Sequence, residues 1–138
     1  MAELKHLFVD TSYVLGIYNK DDQFHEQCVG AMPVAQNAQA LFTTDAILME
    51  IGNAFSAIGR RVQGSQIIRG FLSSPQVNVE HLTPGYFERS LQLYEQRPDK
   101  QWGMVDCFSF VIMEELSLEA ALSTDHHFVQ AGYKILPI

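Results

Sequence analysis

Asp10, Glu50, Asp106 and Asp125 are spread along the chain, yet each stands where a sheet and its helices would bring acidic side chains together. Asp10 closes a short apolar run and is followed by Thr11 and Ser12. Asp125 follows another such run, in Ser123-Thr124-Asp125, while Glu50 lies inside a helix-length segment and Asp106 at the start of one. In open parallel sheets, ligands bind beyond the carboxyl ends of the strands, so acidic residues at those points are candidates for chemistry. Carboxylates that converge without a cation repel one another, and a divalent ion resolves the conflict. Oxygen ligands without Cys or His suit Mg²⁺ or Mn²⁺. Paired ions about 3.5 to 4 Å apart activate water and stabilise the leaving oxygen in phosphodiester cleavage. Asp10, Glu50, Asp106 and Asp125 therefore form a candidate catalytic and metal-binding quartet for a nuclease.

Each of the four also has a plainer role when taken singly. Asp10, Asp106 and Asp125 could cap helices or sit favourably at helix N-termini, and Glu50 could be an ordinary solvated residue at the edge of an apolar stripe. The inference rests on the set. Other chemistries find less support, since the chain has no GxxxxGK[ST] or GxGxxG loop for phosphates and no GxSxG elbow for a nucleophilic serine. His126 and His127 start a helix and are read as solvent-facing or packing residues rather than as acid-base catalysts. Asp99 follows Pro98 and is read as part of a solvated turn flanking the site. Arg61 comes eleven residues after Glu50, close to three helical turns, and is expected to project in nearly the same direction, as an exposed surface residue or toward substrate phosphate.

The elements that must position these residues are short. Strands are expected at Leu4 to Val9, Ala40 to Thr43, Val77 to Val79, Ala120 to Ser123 and Lys134 to Leu136. A helix is expected from Asp45 to Arg61, where Ile47, Leu48, Ile51, Ala54, Phe55, Ile58 and Val62 recur at helical spacing. Further helices are expected over residues 84 to 96, opened by Pro84, and 105 to 118, apolar almost all round. Helical content is expected between Asp21 and Ala38, with Pro33 kinking or splitting it. Strands alternating with helices imply an α/β fold: a mainly parallel central sheet flanked by helices.

With 138 residues, one domain covering 1–138 is expected. Apolar residues at 47% and charged residues at 18% mark a globular chain rather than a disordered one. A formal charge of -7 argues against a protein that coats nucleic acid through Lys and Arg alone, but metal-binding carboxylates contribute to it while drawing phosphate once loaded. Glu3 and Asp10 interrupt any signal-like stretch and no run is long enough to span a bilayer, so a cytoplasmic protein without membrane association is expected. Cys28 and Cys107 stand far apart and read as reduced thiols.

The motif order strand-Asp10-Thr11-Ser12, then Thr43-Thr44-Asp45-Ala46-Ile47-Leu48-Met49-Glu50, then Asp106-Cys107-Phe108-Ser109-Phe110, then Thr124-Asp125-His126-His127-Phe128 resembles the PIN domain, and within it the VapC-type ribonuclease toxins. The resemblance spans nearly the whole chain and is most specific from Asp99 to Leu136. It implies a parallel sheet flanked by helices, with Asp10, Glu50, Asp106 and Asp125 as the acidic quartet. It further implies RNA hydrolysis with Mg²⁺ or Mn²⁺, a cognate antitoxin protein as partner, and a homodimer. The chain departs from the pattern at Gly103, where similar sequences commonly carry a serine whose hydroxyl can orient a carboxylate or water. A PIN nuclease that matures RNA without an antitoxin, and a catalytically silent PIN-like module that binds RNA or protein, are the alternative functions.

Overall fold

A computed structural model describes residues 5–137. Five strands, β1 (His6–Val9), β2 (Ala40–Thr44), β3 (Val77–Glu80), β4 (Ala120–Leu122) and β5 (Lys134–Leu136), form one sheet in the order β3-β2-β1-β4-β5. Every pairing is parallel. The five expected strands are thus present, although Leu4, the expected start of the first, lies outside the described residues. Parallel neighbours require crossovers, which the helices supply. They are α1 (Thr11–Tyr18), α2 (His25–Gly30), α3 (Met32–Asn37), α4 (Asp45–Ala54), α5 (Arg61–Ser73), α6 (Pro84–Gln96), α7 (Met104–Glu115) and α8 (His126–Gln130).

Helices cover the sheet, so the central strands are apolar on both sides. Leu7, Phe8 and Val9 of β1 and Ala120, Ala121 and Leu122 of β4 are all buried, packed with Ile47 and Ile51 of α4, Phe108 and Ile112 of α7, and Phe128 of α8. Cys28 and Cys107 are free thiols within this core. From β1 the chain moves outward through β2 to β3, then crosses back to place β4 on the other side of β1. The connections therefore leave β1 and β4 in opposite directions, which opens a crevice at the carboxyl ends of these two strands. The backbone is pinned there by the Asp10 N–H donating to the Leu122 carbonyl at 3.0 Å and by the Thr43 hydroxyl donating to the Val9 carbonyl at 2.9 Å.

Two helical expectations need correction. The stripe from Asp45 to Arg61 is broken: α4 stops at Ala54 and α5 begins at Arg61. The Ser56 hydroxyl takes up the Asn53 carbonyl, and Gly59 adopts a φ of 86°, open to glycine but not to an ordinary helical residue. Ile58 and Val62, which extended the stripe by spacing, are exposed. Arg61 therefore belongs to a different helix from Glu50, and the shared direction expected for them does not hold. The second correction is smaller: α7 runs Met104–Glu115, ending before Ser117, whose φ of 53° is left-handed. Pro33 falls in the first turn of α3, where no helical N–H is lost, so the segment splits into α2 and α3.

Candidate active site

The crevice between β1 and β4 opens into a cleft of about 540 Å³ lined by Asp10, Glu50, Asp106 and Asp125, together with Asn53 and His127. All four acidic residues expected at one sheet edge meet in this space. Asp10 is the residue before α1, and its side chain makes no capping bond to that helix. Its Oδ2 accepts instead from Ser12 Oγ at 2.6 Å and Ser123 Oγ at 2.8 Å. The two hydroxyls are 3.1 Å apart and brace the loops, with the Thr124 N–H donating to Ser12 Oγ and the Asp125 N–H to Ser123 Oγ.

Glu50 is aimed by α4, whose start is fixed by Thr44 Oγ1 accepting from the Ile47 N–H. Thr11 Oγ1 donates to Glu50 Oε1 at 2.7 Å. Asp106 sits in the first turn of α7, and its Oδ2 accepts from the Gly103 N–H and faces His127 Nδ1, both at 3.1 Å. The backbone of Gly103, which has no hydroxyl to offer, thus supports the Asp106 carboxylate directly. Asp125 caps α8 through Oδ1, which accepts from the His127 N–H at 2.9 Å.

A common arrangement emerges from these contacts. Each carboxylate commits one oxygen to the protein. Among the described residues, no protein hydrogen bond reaches Asp10 Oδ1, Glu50 Oε2, Asp106 Oδ1 or Asp125 Oδ2. The capping roles considered for Asp106 and Asp125 are real, but each occupies half of the carboxylate's capacity.

The electrostatics agree with this arrangement. Burial pushes the Asp10 carboxyl from 3.8 up to about 6, against the pull of the Ser12 and Ser123 hydrogen bonds and with added repulsion from Asp125 and Asp106. Burial also raises Asp106, with Asp125 adding to it and the Gly103 N–H and His127 opposing. Low-dielectric crowding of this kind favours a bound cation. Asp106, Asp125 and His127 offer ligand atoms that all lie within 4.8 Å of one another, a spacing one metal ion could satisfy. Asp10 and Glu50 line the same cleft outside that trio. The donor set is hard oxygen with one imidazole, which fits Mg²⁺ or, more readily with nitrogen present, Mn²⁺.

Of the two histidines His126 is exposed, while His127 is half-buried and faces Asp106 and Asp125, contacts that the sequence does not reveal. Ser123 and Asn53 do not stand out in the sequence; the Ser-Thr-Asp order after β4 is the one signal available for Ser123. Asp99 is where expected, in an exposed turn, gripped by Arg97 through two hydrogen bonds of 3.1 Å.

The PIN domain family model matches residues 7–133. The chain belongs to the PIN domain family. Among curated proteins it is similar to VapC20 of Mycobacterium tuberculosis, in strains CDC 1551 / Oshkosh and ATCC 25618 / H37Rv, described as a 23S rRNA-specific endonuclease. Identity is 24% over 129 residues, covering 92% of this chain and 95% of the relative. The crystal structure of that protein, a sarcin-ricin loop cleaving toxin, superposes with a TM-score of 0.81 at 22% identity, over 92% of this chain and 95% of the other. This likeness establishes a shared fold.

Proposed function

We propose that this PIN domain is an endoribonuclease dependent on Mg²⁺ or Mn²⁺, and the VapC-type toxin of a toxin–antitoxin pair. The observation that carries the reading is the quartet itself: four carboxylates in one cleft, each with one oxygen anchored and the other open. Similarity to a 23S rRNA-specific endonuclease supports RNA, including ribosomal RNA, as the substrate class. A protein antitoxin and a homodimer are the partners proposed with it, in a cytoplasmic setting. The domain proposed spans 1–138.

Asp10, Glu50, Asp106 and Asp125 would hold the ion or ions, with His127 completing the set at Asp106 and Asp125. A divalent ion at this place supplies Lewis-acid polarisation of the phosphate and lowers the pKa of water. Ser12 and Ser123 act as positioning residues, holding the Asp10 carboxyl through Oδ2 and leaving Oδ1 for the ion. Thr11 does the same for Glu50, and Asn53 lines the same cleft.

The test is single-turnover cleavage of defined RNA with and without Mg²⁺ or Mn²⁺, followed by end analysis. Hydrolysis by water should leave 5′-phosphate and 3′-hydroxyl ends. Asp10→Asn, Asp106→Asn and Asp125→Asn should each lower the rate by orders of magnitude in folded protein, Glu50→Gln should follow them, and Asp99→Asn should matter less. Full activity in excess chelator, or 2′,3′-cyclic phosphate products, would rule the mechanism out. Near-wild-type cleavage by folded Asp10→Asn or Asp106→Asn would remove the quartet as the catalytic centre, and RNA binding without cleavage by wild-type protein would favour the silent binding module.

A further inference from the structure

A second cleft, of about 350 Å³, lies where α5 crosses α4 and is lined by Gly52, Phe55, Arg61, Ser65, Ile68 and Arg69. Arg61, Ser65 and Arg69 are four residues apart in sequence, so they form a ladder along one face of α5, about 12 Å from end to end. The Arg60 guanidinium lies beside them, 4.8 Å over the Phe55 ring. Three of the chain's nine Lys and Arg residues are thus gathered in one place, in a chain whose net charge is -7.

None of the ion pairs among the described residues includes Arg60, Arg61 or Arg69; among Lys and Arg they engage Arg89, Arg97 and Lys100. The partner of the Arg61 guanidinium is the Ser56 carbonyl, at 3.2 Å. The position is also unfavourable for the helix. Arg60 is the N-cap residue of α5 and Arg61 its first residue, with no acidic residue in the first turn, so their charges oppose the positive end of the dipole. Such charges serve an anion from outside better than they serve the fold.

The geometry relates this cleft to the catalytic one. Glu50 and Asn53 of α4 line the acidic cleft, and Gly52 of the same helix lines the arginine cleft. The two clefts flank a single helix, whose diameter with side chains is about 10 to 12 Å. We propose that the Arg61–Arg69 cleft binds the sugar-phosphate backbone of a single-stranded RNA segment flanking the bond held at the carboxylates. The inference rests on the nuclease reading. A ladder of two guanidiniums with a hydroxyl between them matches a run of phosphates rather than one isolated anion, and guanidinium forks suit phosphate oxygens. In so acidic a chain, phosphate binding depends on the few cations left unpaired.

The experiment measures binding of a short fluorescein-labelled single-stranded RNA by anisotropy across a salt series, using full-length Asp10→Asn protein so that the RNA stays intact. Arg61→Gln and Arg69→Gln should each weaken binding for all sequences tested and flatten the plot of log affinity against log salt by about 0.7. The double variant should lose about twice that. Arg61→Lys should restore most of the slope, and Arg89→Gln, on α6 and paired with Glu115, should leave it unchanged. An unchanged slope in a folded double variant, with wild-type protein still cleaving RNA, overturns the arginine cleft alone. Failure of wild-type protein to bind or cleave any RNA overturns the nuclease reading and this inference together.

Discussion

At Asp10, burial outweighs two hydroxyl hydrogen bonds, so its carboxyl is raised from 3.8 to about 6 while Asp106 and Asp125 add repulsion. Because the folded value lies above the unfolded one, its stabilising contribution is complete below pH 4 and is lost as pH rises through about 6. That displacement corresponds to about 3 kcal/mol. Metal-free Asp10→Asn protein should therefore melt progressively higher than wild type as pH rises from about 4 to 7, since Asn keeps the shape and removes the charge. Saturating Mn²⁺ should shrink or reverse the gap, because an ion that binds the folded wild type stabilises it in proportion to its occupancy. A melting difference that does not change with pH or with Mn²⁺ would show that burial and the neighbouring carboxylates do not raise the Asp10 carboxyl. At this scale the four carboxylates are legible in the sequence but their supports are not. Of two adjacent histidines, which one faces Asp106 is decided by Asp125 capping a five-residue helix and turning His127 inward.

Among the elements, the sheet is readable because its buried strands are short apolar runs ending in polar residues, and Asp10 and Asp125 can be placed from those ends. The α4–α5 break is not, since Ile58 and Val62 keep the helical spacing of a buried face while standing in solvent. A backbone event at Ser56 and Gly59 ends α4, and α5 then crosses it at a closeness that residue spacing does not encode. An added Cβ at Gly64 would lie 2.7 Å from the Phe55 Cβ, and Phe55 is buried, whereas one at Gly70 on the same helix meets nothing within 4 Å. Gly70→Ala should raise stability by up to about 1 kcal/mol through helix propensity and a less flexible unfolded chain. Gly64→Ala gains the same propensity but must displace Phe55, an overpacking that costs about 1 to 3 kcal/mol, so it should be neutral to clearly destabilising. Denaturant melts of the two variants check this. Equal stabilisation at both positions would mean that the helices cross further apart than described.

Across the whole molecule, the topology puts the acidic cleft at the rim of the sheet, where the connections from β1 and β4 part, and no element among the described residues folds over it. The bulk of the chain serves to bury the central strands and to bring four carboxylates into one cleft at their rim. An acidic cleft and an arginine-lined neighbour flank α4, an arrangement that on the proposed reading pairs cation-assisted chemistry with phosphate grip. None of the described residues forms a lid over the cleft, so on the proposed toxin reading restraint falls to a partner protein. Expression of wild-type protein should therefore arrest growth, and coexpression of a protein that covers the cleft should relieve the arrest. Asp106→Asn, folded but unable to complete the ion site, should be harmless at the same expression level. The comparison separates control by a partner from control by substrate choice. Harmless high-level expression of wild-type protein that cleaves RNA after purification would instead indicate a maturation nuclease, whose safety lies in the narrowness of the RNA it accepts.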